Sequence, residues 1–366
     1  MSTLLWAVLV VSAVFDGAVL AWFLLRRAPE RIGFARLRMG LIAALTACVF
    51  KLPVLLEFAG DFFFAINLAY VDTVVVVPLV AAGVLFAARK REVASSVRIA
   101  ALVGVLLAPI GAYATFVEPL RLVEERVDVP LDPRFAPTAP LRVAVLADMQ
   151  SRDVDEHLRE AIVLAMNFEP HLILLPGDLI QREDEDEEVL ARFRELLSPL
   201  AAPLGVYFVL GNTDHQALVR RVFAGTNVRL LEDESVEREF GGRKVVIGGA
   251  DSTWSPAFVA DFGRRRADEL RILVAHFPDV LLGLNRESAI DLTIAGHTHG
   301  GQVRIPFFGP PLTLSGVPRD VAAGGLHAIN GQAIYVSRGI GCERASAPRV
   351  RFNCPPEVSL LTLRAR

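Results

Sequence analysis

Four long apolar segments fill the first third of this 366-residue chain and restrict what it can fold into. Each contains the roughly 17–25 mostly apolar residues that a helix needs to cross a bilayer. We do not expect the first to be a cleaved signal peptide, because it is too long, lacks a basic start and has its arginines after it. We therefore predict an all-α four-helix transmembrane domain over residues 1–117, rather than buried helices of a soluble protein. The four segments run over about 3–25, 40–58, 63–87 and 97–117.

The charged residues between these segments predict their orientation. Five arginines join the first segment to the second, and Arg89, Lys90, Arg91 and Arg98 join the third to the fourth. The connection at 57–61 contains acidic residues and no basic ones. Because short loops rich in Lys and Arg stay in the cytoplasm, both chain ends and everything after residue 117 are expected outside it. We therefore expect a multi-pass protein of the cell membrane with an extracytoplasmic domain.

Three ionisable residues fall inside the apolar segments, where an unpaired charge is costly. With the predicted orientation, Lys51 and Asp72 have similar depth in the membrane and Asp16 lies somewhat deeper. We interpret them as an ion pair that stabilises the helix bundle. A transport or proton path is the alternative.

The remaining two thirds of the chain have the composition of an ordinary globular domain. Residues 118–140 contain five prolines and one strand-like alternation at 122–129, which indicates a linker with one strand. From residue 141 to 366, apolar strands alternate with helical patterns, which predicts an α/β domain. All seven histidines lie in this second part. The net charge of −3 argues against a nucleic-acid-binding surface, which needs a basic face.

Five predicted strands end in residues that commonly bind metals. The strands cover about 141–147, 171–176, 206–210, 270–275 and 290–295. Because ligands collect at the carboxyl ends of strands in open α/β sheets, these side chains are expected to converge. Oxygen and imidazole donors from several strands indicate a metal centre. Taken singly, each also fits an ordinary loop, turn or cap residue. The residues at the strand ends are Asp148, Asp178, Asn212, His276, and the pair His297 and His299.

A run of six acidic residues at 183–188 is a second candidate for cation binding. No spacing within it picks out ligands, so the solvated start of a helix is the favoured interpretation.

The ordered motifs around the strand ends resemble those of the calcineurin-like metallophosphoesterases, and are most similar to their membrane-associated bacterial branch. The resemblance covers about residues 121–364. It implies a four-layer α/β/β/α sandwich with two metals at one edge. It also implies hydrolysis of a phosphomonoester or phosphodiester by a metal-activated hydroxide. The motifs are Asp-Met-Gln at 148–150, Gly-Asp at 177–178, Gly-Asn-Thr-Asp at 211–214, His-Phe-Pro-Asp at 276–279, Gly-His-Thr-His-Gly-Gly-Gln at 296–302, Arg-Gly-Ile-Gly at 338–341 and Cys-Pro-Pro-Glu-Val at 354–358.

The resemblance also implies which residues bind the metals. Asp178 bridges the two ions and, with Asn212, belongs to the catalytic residues. Mixed oxygen and imidazole ligands favour manganese, iron or zinc, and the sequence leaves one or two ions open. The first ion would take Asp148, position 150, Asp178 and His299, and the second would take Asp178, Asn212, His276 and His297.

Two positions depart from the family pattern. Gln150 stands where the family has a ligating histidine, so the first metal is expected to bind more weakly. Thr213 stands where the family has a histidine that assists the leaving group, and threonine is no proton source near pH 7. His215 is the candidate to replace it.

The sequence therefore predicts an integral membrane phosphoesterase whose substrate is lipid or envelope-linked, with no nucleic-acid partner. The alternative is a catalytically weak or silent module that binds metal or phosphate and signals through the helices. Cys342 and Cys354 both lie outside the cytoplasm in this orientation, and their spacing permits a disulfide without requiring one.

Overall fold

A computed structural model describes residues 10–19, 62–90, 95–181, 186–264, 268–284, 287–342 and 346–366. The chain divides into two compact units. One consists of Met1–Val117 with Glu343–Arg349, and the other of Glu118–Cys342 with Val350–Arg366. Each unit is described separately below.

The described part of the first unit is helical. Helix α1 covers Val10–Val19, α2 covers Phe62–Ala87 with one π-helical turn at Asp72–Val76, and α3 covers Ser95–Phe116. Helices α2 and α3 pack closely because glycines of α3 face α2. A Cβ atom on Gly111 would lie 2.5 Å from Cβ of Val74. Small residues at such contacts are typical of helix packing within membranes.

Two helices of this unit, not four, have the length and hydropathy of a membrane span among the residues that the structure describes. They are Phe62–Ala87, with a mean hydropathy of 2.2, and Val97–Leu120, with 2.0. The first predicted segment is described only over Val10–Val19, and the second lies outside the described residues. The total of four spans therefore stays a prediction. Lys51 is also outside the described residues, and so is the predicted pair with Asp72.

The second unit contains two six-stranded mixed sheets. The first has the strand order β1-β12-β2-β3-β4-β5, and the second has the order β10-β11-β9-β8-β7-β6. Within each sheet four neighbouring strands are parallel: β2, β3, β4 and β5 in the first, and β7, β8, β9 and β11 in the second. The strands are β1 Val123–Leu131, β2 Leu141–Val145, β3 Leu172–Leu175, β4 Val206–Phe208, β5 Val228–Leu230, β6 Glu234–Phe240, β7 Arg243–Ala250, β8 Glu269–Ala275, β9 Leu292–Ala295, β10 Gly325–Ile329, β11 Gln332–Val336 and β12 Glu357–Ala365.

Three apolar cores alternate with the two sheets. On β3, Leu172 and Leu174 belong to the core between the sheets, whereas Ile173 and Leu175 belong to the core under the helices of the first sheet. Successive side chains of a strand point to opposite faces, so a strand buried on both faces must be apolar throughout. A third core covers the outer face of the second sheet. The layers therefore run helices, sheet, sheet, helices.

Two helices of this unit begin at aspartate side-chain caps. Asp155 accepts a hydrogen bond from the backbone of Leu158, and Asp186 accepts from Glu188 and Val189. The end of the predicted acidic run thus starts a helix, while residues 182–185 lie outside the described part. The helices are α4 Glu156–Asn167, α5 Glu187–Leu197, α6 Gln216–Phe223, α7 Pro256–Phe262 and α8 Arg319–Ala322.

The sequence also predicts strands at about 245–249, 333–336 and 358–363, which correspond to β7, β11 and β12. Three strands of the structure, β5, β6 and β10, are absent from the sequence prediction. Strand β6 buries only Val236 of its seven residues and carries three glutamates, because it forms an edge of the second sheet. Edge strands of this kind lack the apolar pattern that identifies a buried strand.

Candidate metal centre

The carboxyl ends of five parallel strands carry the predicted metal ligands. Hydrogen bonds join the loops that follow these strands. The backbone of Asp148 donates to Gly177 O at 3.1 Å, and that of Gln150 donates to Asp178 O at 2.7 Å. In the second sheet, Gly296 donates to His276 O at 3.1 Å. These bonds fix the loops relative to one another, which is what a rigid ligand set requires.

Five of the predicted ligands have a left-handed backbone conformation. For residues other than glycine this conformation costs of order 1–3 kcal/mol, and it is retained mainly at functional sites. The surrounding hydrogen bonds hold these residues in place. The φ angles are 48° at Asp148, 39° at Gln150, 55° at Asp178, 68° at His297 and 48° at His299.

Glycines allow the backbone to pack directly against the two carboxylates. A Cβ atom on Gly211 would lie 2.0 Å from Asp178 Oδ1, and one on Gly296 would lie 2.5 Å from Asp148 Oδ2. Any other residue at these positions would collide with a carboxylate. The Gly-Asn and Gly-His steps of the sequence motifs thus have a steric cause.

Asp148, Asp178 and His276 form the buried centre of the site. One ligand atom of each lies within 4.8 Å of the others, and none of the three residues is more than 1% exposed. Burial, together with the nearby Asp178, raises the pKa of Asp148 well above its usual value. Two buried carboxylates side by side are unfavourable without a positive charge, and a divalent cation supplies one.

Two of the histidines have their protonation pattern fixed by backbone carbonyls. His276 Nδ1 lies 2.8 Å from Pro176 O, and His297 Nε2 lies 3.2 Å from Leu314 O. Because a carbonyl oxygen only accepts, these nitrogens donate, and the other nitrogen of each ring keeps its lone pair. Those nitrogens lie 2.9 Å and 3.1 Å from Oδ1 of Asn212. The lone pairs of these two nitrogens and of the Asn212 oxygen thus converge on one place, as the lone pairs of ligands do around a cation.

His299 has the same arrangement. Its ring hydrogen-bonds to the carbonyl of Gly341. Its Nδ1 atom is buried and has no hydrogen-bond partner in the described part of the chain. Metal-binding histidines commonly donate one ring N–H to a carbonyl and present the other nitrogen to the ion.

All three imidazoles are neutral at physiological pH. Burial lowers the pKa of His276 to about 4, and burial followed by the effect of His276 lowers that of His297 to about 4. Burial also lowers the pKa of His299 well below its usual value. Metal binding requires neutral imidazole. The donor set therefore fits a divalent cation.

The two departures from the family pattern lie next to Asp178. Gln150 is fully buried, and its Nε2 atom donates to Asp178 Oδ2 at 3.4 Å. The backbone N–H of Thr213 donates to Asp178 Oδ1 at 3.0 Å. His215 caps the start of α6, is exposed, and makes no side-chain cap hydrogen bond. Its catalytic role stays a prediction.

Sequence reasoning assigned no role to Asp214. Its carboxylate accepts hydrogen bonds from the backbones of Asp178 at 2.7 Å, Leu179 at 2.8 Å and Gly211 at 2.8 Å. Asp214 therefore links the loops that follow β3 and β4. Burial and the charge of Asp178 raise its pKa to about 6. The sequence signal that could have identified Asp214 is its position at the end of the Gly-Asn-Thr-Asp motif.

Arg351 was also missed. This fully buried guanidinium donates to the carbonyls of Arg338, Gly339, Gly341 and Cys354. It thereby holds the loop that contacts His299. No motif in the sequence marks it, because carbonyl partners leave no pattern of residue types.

The two cysteines that the sequence left open for a disulfide do not form one. Cys342 and Cys354 are both free and buried. The thiol of Cys354 instead contacts His299 O at 3.4 Å, which helps to hold the histidine loop. Cys354 therefore packs against the candidate metal centre as a free thiol.

Comparison with known proteins agrees with this geometry. The family model described as "Calcineurin-like phosphoesterase" matches residues 141–301. The chain is 31% identical to the protein named "Phosphodiesterase YaeI" of Escherichia coli (strain K12), over 62% of this chain and 83% of that protein. It is 28% identical to "Uncharacterized protein YpbG" of Bacillus subtilis (strain 168), over 61% and 81% of the two chains.

A third relative aligns over more of the chain. It is named "UDP-2,3-diacylglucosamine pyrophosphatase LpxG", from Chlamydia trachomatis serovar D, and is 24% identical over 72% of this chain and 96% of its own length. Together with the matches above, this shows that the chain belongs to the calcineurin-like phosphoesterase family and is a metal-dependent phosphoric ester hydrolase.

Proposed function

We propose that this enzyme hydrolyses a lipid or envelope-linked phosphomonoester or phosphodiester at the outer surface of the cytoplasmic membrane. The observation that carries the proposal is the convergence of unprotonated imidazole nitrogens from His276 and His297 on the oxygen of Asn212, beside two buried carboxylates. Such a cluster is unfavourable by itself and favourable around divalent cations.

In the proposed assignment, one ion would be held by Asp148, Gln150, Asp178 and His299, and the other by Asp178, Asn212, His276 and His297. When bound, such ions neutralise phosphoryl oxygens and make a water molecule acidic enough to attack phosphorus. In the overall reaction a P–O bond to water forms and the ester P–O bond breaks. A proton passes to the leaving oxygen from solvent or from His215.

The protein's own contribution is orientation. The carbonyls of Pro176, Leu314 and Gly341 fix which nitrogen of each imidazole faces the centre. The N–H of Thr213 and the amide of Gln150 hold the Asp178 carboxylate. Because these groups are already in place, little reorganisation is needed as charge develops on the substrate.

Gln150 offers the first position a neutral amide oxygen instead of an imidazole nitrogen. An amide oxygen is a weaker ligand than an imidazole nitrogen for the metals considered, so the ion at this position is bound more loosely than its partner. We propose that the first position exchanges its metal readily.

The membrane location rests on the first unit. Helices Phe62–Ala87 and Val97–Leu120 are long and apolar enough to span a bilayer. The basic connection at 89–98 lies between them, which favours a cytoplasmic loop and an outer position for the second unit. The named activity of the chlamydial relative, on a diacylated glucosamine nucleotide, supports a substrate with apolar chains.

The test uses the full chain in lipid nanodiscs with Mn²⁺, Fe²⁺ or Zn²⁺. Bis(p-nitrophenyl) phosphate and p-nitrophenyl phosphate report phosphodiesterase and phosphomonoesterase activity. We expect turnover that Asp178→Asn abolishes. The matched control is Asp128→Asn, which changes an exposed carboxylate that pairs with Arg364. The absence of turnover with every metal and both substrates would overturn the proposal.

The second candidate is a silent metal-binding module that signals through the helices. The presence of Gln150 and Thr213 in place of two functional histidines favours it. Metal binding at the centre, measured by calorimetry, without turnover of either ester would support this candidate.

A further inference from the structure

Exposed apolar side chains are concentrated in one loop of the second unit. Of the eight large apolar side chains that are exposed over the described part of this unit, five lie between Ile305 and Leu314. We call Ile305–Leu314 the apolar loop. Clustered exposed apolar side chains commonly mark a binding site, whereas single scattered ones do not. The five exposed fractions are 46% for Ile305, 112% for Phe307, 55% for Phe308, 37% for Leu312 and 47% for Leu314.

The apolar loop is held in place by specific contacts. The backbone of Ile305 donates to Gly309 O at 3.0 Å. Just after the loop, the Asp279 carboxylate accepts from Ser315 Oγ at 2.5 Å and from the backbone of Gly316 at 2.6 Å. These hydrogen bonds therefore hold the backbone of the apolar loop in place while its apolar side chains remain exposed.

The apolar loop adjoins the metal centre directly. The carbonyl of Leu314 accepts the hydrogen bond of His297 Nε2. The ring of Phe277 lies 4.2 Å from that of His297, and the ring of Trp254 lies 6.0 Å from that of Phe277. An apolar surface therefore starts at the proposed ligand His297.

Two arginines lie beside these apolar side chains. The guanidinium of Arg319 lies 4.8 Å from the ring centre of Phe308. Arg304 donates to Gly300 O at 3.4 Å, next to His299. Neither arginine has an ion-pair partner within the described ranges. Unneutralised cations next to an apolar surface match a molecule that has both a phosphate and a hydrocarbon chain.

We propose that the apolar loop binds the acyl chain of a lipid phosphoester while the phosphate lies at the metal centre. This inference rests on the proposed function and names the part of the substrate that the loop recognises. Since burying a methylene group contributes about 0.8 kcal/mol, longer chains should bind more tightly.

The experiment uses the full chain in nanodiscs with Mn²⁺ and a series of alkyl p-nitrophenyl phosphates from ethyl to octyl. The quantity measured is the ratio of kcat/KM for the octyl ester to that for the ethyl ester. We expect a ratio of about ten or more in the wild type, given partial burial of the six additional methylenes. The double variant Phe307→Ser, Phe308→Ser should reduce the ratio several-fold.

The matched control is Val163→Ser, an exposed apolar residue (56%) on α4, which should leave the ratio unchanged. A wild-type ratio near one, or the same ratio in the double variant as in the wild type, would overturn the proposal. Calorimetric binding of octyl and ethyl phosphate provides a readout without turnover. If no ester is hydrolysed but octyl phosphate binds more tightly and only the double variant removes this difference, the proposed function fails and the acyl-binding loop stands.

Discussion

The carbonyl of Gly341 accepts a hydrogen bond from Nε of Arg351 at 3.1 Å, and the same carbonyl bonds to the ring of His299. A buried cation is thereby connected to a proposed metal ligand through one oxygen atom. The loop that contains Gly341 also donates from its backbone to Asp148 O at 2.7 Å. The shape of the site therefore depends on a residue that binds no metal.

Arg351→Met should destabilise the protein strongly. The substitution leaves the carbonyls of Arg338, Gly339, Gly341 and Cys354 without their donor, and each unpaired buried group costs roughly 1–3 kcal/mol. We expect a large decrease in the thermal midpoint of the second unit, measured by differential scanning calorimetry. Arg364→Met, which removes an exposed pair with Asp128, should change the midpoint little. Equal midpoints for the two variants would contradict this role.

Gly211→Ala should weaken metal binding. The added methyl group would lie 2.0 Å from Asp178 Oδ1, so the carboxylate must move. Loss of ligand orientation typically lowers metal affinity about 10–100-fold. Titration calorimetry with Mn²⁺ measures the effect. Gly283→Ala is the control, because a Cβ atom there meets nothing within 4 Å, and it should retain the wild-type affinity.

The sequence predicts this site well where strand direction determines position. Asp148, Asp178 and Asn212 follow parallel strands of the first sheet, and His276 and His297 follow parallel strands of the second. Parallel strands of one sheet bring their carboxyl ends to one edge. The apolar pattern of each strand was therefore sufficient to group the polar residues at the strand ends of each sheet. The meeting of the two groups depends on how the two sheets pack on their shared core.

Contacts with backbone atoms could not be predicted in the same way. Arg351 binds four carbonyls, and Asp214 accepts three backbone N–H groups. Such contacts depend on the path of the loops and leave no spacing of residue types. Strand β6 was missed for a related reason, since an edge strand with one buried residue has no apolar signature.

Gln150→His should increase the amount of metal that the protein retains. The side chain of Gln150 is fully buried and contacts Asp178, so an imidazole at this position would lie beside a proposed bridging ligand. We expect the metal content of purified protein, measured by inductively coupled plasma mass spectrometry, to rise from about one ion to two per chain. Gln216→His, a surface change of the same type, should leave the content as it is. An unchanged metal content in Gln150→His would show that Gln150 is not the reason for weak metal binding at the first position.

The affinity for Mn²⁺ should decrease as the pH falls below about 6. In the metal-free protein the pKa of Asp214 is raised to about 6 and that of Asp148 well above its usual value, so both hold protons more tightly than free carboxyls do. A cation at Asp178 favours their charged forms, and its binding must therefore release protons at low pH. His276 and His297, with pKa values of about 4, are neutral throughout this range and do not compete.

Titration calorimetry between pH 5 and 8, in buffers of different ionisation enthalpy, measures both the affinity and the protons released on Mn²⁺ binding. The affinity should rise from pH 5 to 7, and proton release should be larger at pH 5 than at pH 8. The reason is that carboxyls with raised pKa values hold protons at the acidic end of this range and must lose them when the cation binds. In Asp214→Asn the pH dependence should be shallower, since one of the titrating groups is removed. A constant affinity from pH 5 to 7 would mean that these carboxyls are already ionised in the metal-free protein, and the electrostatic origin assigned to the cluster would be wrong.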